Sequence, residues 1–202
     1  MKAKPDRPRG LTLAAMIFMT LSCALPGLIP LAPLPKMERN VDTLIEVLNG
    51  SDWHLLQALA REQYSPEDFA KPGTLTFTVT ITDRKPVYFS YGWCTRDAET
   101  LRQNLEHMEV SLYFNGDELG TDVVHPLSFS QADGQQCLDF GVLLSEWSPG
   151  DYRLKAVATF DEKIDDGFSL YEAGDYVYEY NVTVEESGEN EGTSTHLLGA
   201  NR

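Results

Sequence analysis

Between positions 74 and 82 five threonines interleave with four apolar residues: Thr74, Thr76, Thr78, Thr80 and Thr82 alternate with Leu75, Phe77, Val79 and Ile81. A strict period of two is the signature of a strand with one buried face, and a helix cannot gather such a set on one side. Threonine suits the wet face because it is β-branched and its hydroxyl hydrogen-bonds to water. A chain that carries this pattern needs a second layer to cover Leu75 to Ile81, so the rest of the sequence is read for partner strands.

Those partners follow. Val87, Phe89, Tyr91 and Trp93 repeat the alternation after a turn at Asp83-Arg84-Lys85-Pro86. Leu101, Leu105 and Met108 shift to helical spacing, which predicts a short helix within 97–108. Val110, Leu112 and Phe114 run into Asn115-Gly116, a dipeptide that favours a tight hairpin because both residues tolerate positive φ, and a second arm is expected through Leu119 to Val124. Three further strands are predicted: one on Leu138, Phe140, Val142 and Leu144, one on Tyr152 to Phe160, and one on Tyr176 to Val184. About seven short strands separated by Gly, Pro and Asp turns predict a mainly β, antiparallel two-sheet sandwich. Parity places most of the aromatic residues of these strands in the core; Tyr88 points the other way.

The N-terminal third differs. Residues 1–23 carry Lys2, Lys4, Arg7 and Arg9 ahead of the apolar run Leu11 to Ser22, the order of an export signal or a membrane anchor. Pro26, Pro30, Pro33 and Pro35 make residues 24–36 an extended tether. Residues 37–71 are expected to be helical and to pack on the body: Val41, Leu44, Ile45 and Leu48 share one helical face, a second helix is predicted from Ser51 to Glu62, and Ser65-Pro66-Glu67-Asp68 predicts a single capped turn. The β domain then occupies 72–186, and 187–202 is a polar, acidic tail expected to be disordered.

Charge narrows the functional classes. The chain has 16 Lys and Arg against 31 Asp and Glu, a formal net of −15, and without residues 1–23 the balance is 12 against 30. No basic cluster follows Lys36, which excludes a nucleic-acid partner on electrostatic grounds. The histidines His54, His107, His125 and His196 lack metal-ligand spacing, so no metal or other cofactor is expected. Asp161 to Gly167 is acidic but fails the helix-loop-helix calcium template, with Ile164 and Ala173 where oxygen ligands are required, and reads as an inter-strand loop. No nucleophile elbow or phosphate loop occurs, so no catalytic residue is assigned.

Two resemblances follow from particular residues. Thr20-Leu21-Ser22-Cys23 resembles the lipobox of bacterial lipoproteins, which implies lipidation at Cys23 and attachment to the outer side of a membrane; the family's Leu three places before the Cys is Thr20 here. Release after cleavage at Ser22-Cys23-Ala24, or retention through an uncleaved Leu11–Leu31 anchor, fits the same segment. Trp147-Ser148-Pro149-Gly150-Asp151-Tyr152 and Ala173-Gly174-Asp175-Tyr176 resemble late-strand entries of immunoglobulin-like domains, in which a Gly turn delivers an aromatic residue into the core. That resemblance spans 72–186 and implies architecture, not ligand.

With Cys23 assigned to the signal or its lipid, Cys94 and Cys137 remain in an oxidising compartment, and a disulfide between them is expected; two free buried thiols are the alternative. Both cysteines are out of step with the buried parity of their strands, so the bridge is expected off the inter-sheet core. These readings make the chain an extracytoplasmic, membrane-tethered binding module with an unidentified protein or glycan partner. A cell-surface hydrolase and a structural envelope spacer are the alternatives.

Overall fold

The computed structural model describes residues 33–186. The expected export segment with Cys23, most of the expected tether, the residues after 186 and His196 lie outside the described residues. In chain order the elements are β1 (Lys36–Met37), α1 (Val41–Asn49), β2 (His54–Leu55), a 3-10 turn (Leu56–Leu59), α2 (Pro66–Phe69), β3 (Gly73–Ile81), β4 (Val87–Thr95), α3 (Ala98–Leu105), β5 (Met108–Phe114), β6 (Asp117–Glu118), β7 (His125–Ser130), β8 (Gln136–Ser145), β9 (Gly150–Phe160), β10 (Ile164–Asp165), β11 (Leu170–Tyr171) and β12 (Gly174–Val184).

The protein is mainly β, with two five-stranded sheets enclosing one core. The first sheet runs β1-β8-β4-β2, with β7 also on β8; the second runs β3-β12-β9-β5-β6; β10 and β11 form a separate small hairpin. The expectation of purely antiparallel sheets is corrected at two places, since β3 lies parallel to β12 and β2 parallel to β4. In both cases an N-terminal strand adds to the edge of a strand formed later in the chain, and no hairpin dictates its direction.

Parity explains the core. Phe77, Val79 and Ile81 of β3, Val87, Phe89, Tyr91 and Trp93 of β4, Tyr152 to Phe160 at alternate positions of β9, and Tyr176, Tyr180 and Val182 of β12 are all buried together. Ala156 and Ala158, both fully buried, leave room for the aromatic side chains of neighbouring strands. Phe77 stacks on Tyr180 with centroids 4.9 Å apart, and Trp93 meets Phe160 edge-on at 5.1 Å. A second, smaller core lies on the outer face of the first sheet, where Leu44 of α1 covers Tyr88 and Leu143. Gly141 makes that layer possible, because the Tyr88 ring and hydroxyl occupy the space a Cβ would need.

Several expectations for 51–130 are corrected. No helix spans Ser51–Glu62: His54 and Leu55 pair with β4, one 3-10 turn follows, and residues 60–64 run as a strap along the free edge of β3. Local periodicity loses here to sheet-edge pairing. The strap satisfies that edge with both backbone and side chains: Arg61 N–H donates to Thr78 O at 3.1 Å, Thr78 N–H donates to the Glu62 carboxylate, and Thr76 N–H donates to Tyr64 Oη at 3.1 Å. The Thr78 hydroxyl and N–H hold the Glu62 carboxyl below its ordinary range. The hairpin at Asn115-Gly116 forms, but its second arm is only Asp117–Glu118; Val123 and Val124 N–H turn back onto Gly120 O, and a strand not predicted, β7, pairs with β8. Helices α1, α2 and α3 form close to the expected positions, α2 with a Ser65–Asp68 capping box.

Cys94 and Cys137 are bonded across β4 and β8, with Cα atoms 4.1 Å apart, and both project onto the outer face and not into the inter-sheet core. The bridge joins directly paired neighbours on the two strands. Closing a 43-residue separation, it is expected to contribute about 4 kcal/mol, so the Cys94→Ala/Cys137→Ala double variant should lose up to that much stability in urea unfolding. Gly141→Ala should cost about 1–3 kcal/mol by forcing Tyr88 off the sheet, read as a lower urea midpoint at unchanged m-value.

Candidate functional site

β4 brings together the features that are not explained by packing alone. Its first two residues pair with β2, and beyond its last residue Arg96 N–H donates to Asp166 O at 2.8 Å. Between these contacts Ser90, Gly92 and Cys94 form an open edge. Three observations fix the direction of their peptide groups. Pro86 O accepts from His54 N–H at 2.9 Å on this side, Arg96 N–H donates on this side, and the 4.1 Å Cα separation of Cys94 and Cys137 is that of a non-hydrogen-bonded antiparallel pair. The even-numbered residues therefore turn N–H and C=O away from β8. Among the described residues none bonds to those groups of Ser90, Gly92 or Cys94.

Beside this edge lies a recess of about 250 Å³ lined by Phe69, Tyr91, Trp93, Tyr171 and Tyr178, with Gly92, Cys94, Gln135 and Asp166 at its rim. The aromatic rings come from both sheets, α2 and the β10–β11 hairpin. Tyr91 stacks on Tyr178 with centroids 5.6 Å apart, and Trp93 meets Tyr171 edge-on at 4.7 Å. The Trp93 indole N–H is buried without a partner among the described residues. Burial raises the hydroxyls of Tyr91 and Tyr178, the latter to about 12, so both stay protonated donors at physiological pH. Asp166 is committed to structure: it accepts from Phe168 and Ser169 N–H at 2.7 Å each and from Tyr171 Oη at 3.0 Å.

A second concavity, about 470 Å³ and polar, lies between α3 and the loop after β9. It contains an association that sequence spacing did not reveal. His107 Nδ1 lies 3.0 Å from Asp161 and its Nε2 3.3 Å from Glu162. Thr100, which also lines the concavity, donates its hydroxyl to Asp97 at 2.9 Å and not to the imidazole. The other described histidines stand apart, His54 on Asp83 at 2.9 Å and His125 3.4 Å from Glu38 O. The acidic run 161–167 bonds its own backbone, with Asp165 accepting from Gly167 N–H, and no group of potential metal ligands occurs among the described residues.

Behind the open edge, on the outer face of the first sheet, Asp139 sits across from Gly92, 3.1 Å from where a Cβ on that residue would lie. Asp139 Oδ1 and Tyr88 Oη are each buried without a hydrogen-bond partner among the described residues. Burial pushes the Asp139 carboxyl above its ordinary range, opposed by the nearby Ser90 and Tyr88 hydroxyls. Sequence reading singled out Tyr88 as pointing outward but assigned nothing to Asp139, because an acid in an alternating strand reads as solvent-facing.

No family model matches the chain, and no curated protein matches it. A solved structure, the cysteine protease inhibitor from Entamoeba histolytica, is similar at 8% identity, with 67% of this chain and 100% of that one covered and a TM-score of 0.28, a likeness too slight to carry an argument. No helix among the described residues is long and apolar enough to cross a membrane.

The raised Asp139 carboxyl gives a pH dependence of known sign. The native state holds a proton that the unfolded chain releases, so this group's contribution is complete below about pH 3.9 and falls as pH rises through the higher folded value. Asp139→Asn removes that decline. Urea midpoints of variant and wild type should diverge in the variant's favour as pH rises above about 4.

Proposed function

We propose that this protein is a binding module held on the extracytoplasmic side of a membrane by its N-terminal segment, through lipid on Cys23 or an uncleaved anchor. The observation that carries the binding reading is the open stretch of β4 beside an aromatic recess. Exposed strand edges are normally covered, and the chain does cover the equivalent edge of β3 with the 60–64 strap. The immunoglobulin-like form of the body is part of the same proposal. Two tyrosines support it, each at the start of a strand and each donating its hydroxyl to the carbonyl four residues upstream: Tyr152 to Ser148 O at 2.8 Å and Tyr176 to Glu172 O at 2.9 Å. Such tyrosine corners recur in immunoglobulin-like domains.

The hydrolase alternative has one observation in its favour, the His107–Asp161–Glu162 group. Among the described residues that line this concavity no hydroxyl or thiol is hydrogen-bonded to the imidazole, so His107→Ala is expected to leave the biological activity within a few-fold. The binding reading is tested by placing a photo-crosslinking residue at Gln135, on the rim of the recess, and as a control at exposed Glu109 on the second sheet. In cells that produce the protein, discrete adducts are expected from Gln135 in the membrane fraction and not from Glu109. Equal adducts from both positions, or none from Gln135, would overturn it.

A further inference from the structure

We infer that the open stretch of β4 is a strand-addition site for an extended, positively charged peptide segment of a partner protein. The inference rests on the binding reading above and specifies its ligand class. Ser90, Gly92 and Cys94 present three N–H and three C=O groups in one row, all turned away from β8. A strand rises about 3.3 Å per residue, so a segment of about five residues matches this row from end to end. Gly92 is exposed at its centre, where the missing side chain leaves the backbone accessible. The row is bounded by β2 at one end and by the Arg96–Asp166 hydrogen bond at the other, which fixes where an added strand begins and stops.

The recess supplies the side-chain half of recognition. An added strand continues the pleat of β4, so every second side chain follows the direction of Tyr91 and Trp93 into the space lined by Phe69, Tyr171 and Tyr178. An aromatic or large aliphatic residue fits there, because the lining is made of five aromatic rings. Charge selects the rest of the segment. Residues 33–186 contain 11 Lys and Arg against 28 Asp and Glu, and the recess is lined by one carboxylate, Asp166, and by no cation. That balance attracts Lys and Arg on the outward positions of an added strand and repels a second copy of this chain.

Backbone amide exchange on the full chain tests the proposal. In the free protein the amides of Ser90, Gly92 and Cys94 are expected to exchange quickly while Phe89, Tyr91 and Trp93, bonded to β8, are protected. The probe is the peptide Lys-Phe-Lys-Phe-Lys. At a ninefold excess over its Kd it should slow exchange at those three amides about tenfold. The same peptide N-methylated at alternate residues, and Glu-Phe-Glu-Phe-Glu, should not. Gly92→Pro removes an N–H that β8 does not use, so it should weaken binding at least tenfold while leaving Phe89, Tyr91 and Trp93 protected.

Protection of the three amides in the free chain at the level of their neighbours would overturn the proposal, as would equal effects of the lysine and glutamate peptides. Protection that grows with protein concentration alone would overturn it in favour of a second copy. If Gln135 yields adducts while no extended peptide protects the edge, strand addition falls and the binding reading stands.

Discussion

The pairing of β4 with β8 is the constraint from which the other arrangements follow. Because side chains alternate with a period of two, a single register choice decides the direction of every residue on both strands. The Cys94–Cys137 bond permits only one. It sets Val87, Phe89, Tyr91 and Trp93 inward, against Phe160, Tyr178 and Tyr180, and sets Tyr88, Ser90 and Cys94 outward. The same choice decides where backbone groups point, since residues opposed in a non-hydrogen-bonded pair bond on their other side. A one-residue slip would expose Trp93, bury Ser90 and turn the edge groups of Gly92 into the β8 ladder. The disulfide therefore does more than close a loop: it holds the orientation of the recess and the open edge together.

The outer face of the first sheet shows the cost of that choice. With Tyr88 turned outward, its ring needs cover, and α1 provides it through Leu44. The ring also needs space over its neighbour strand, which only a glycine at 141 leaves. Asp139 is then enclosed beside Tyr88 and Ser90, where burial favours its neutral form. A half-enclosed acid is tolerable because protonation lowers the charge penalty.

The legible part of this fold was its periodic part. Thr74 to Thr82, Val87 to Trp93, Tyr152 to Phe160 and Tyr176 to Val184 announce strands because one face of each is uniformly apolar, and these strands form. The illegible part is made of segments whose conformation is set by what they lie against. Residues 51–62 have helix-compatible spacing, yet they pair with β4 and strap β3, and no local signal distinguishes a strap from a helix when its partners are hydrogen-bond groups on distant strands. β7 was missed because it is an edge strand with Pro126 near its start and only Leu127 and Phe129 as apolar alternates. The recess was illegible for a related reason. Phe69, Tyr91, Trp93, Tyr171 and Tyr178 come from four separate stretches, and parity alone assigns the β4 and β12 members to the core.

An open strand edge is an aggregation hazard, and the way this protein avoids it bears on what the edge is for. Proteins commonly blunt such an edge locally with an inward charge, a proline or a bulge. Ser90, Gly92 and Cys94 have none of these, and the nearest proline, Pro86, precedes the strand. Protection comes instead from the whole body, whose 28 acids against 11 bases in residues 33–186 make any two copies repel. That repulsion acts over about 8 Å at physiological ionic strength, a range longer than the spacing of paired strands at about 4.8 Å, so it opposes self-pairing before backbone groups can meet. A local block would close the edge to every strand. A net charge closes it only to strands of like sign, and so leaves the edge available to a cationic one.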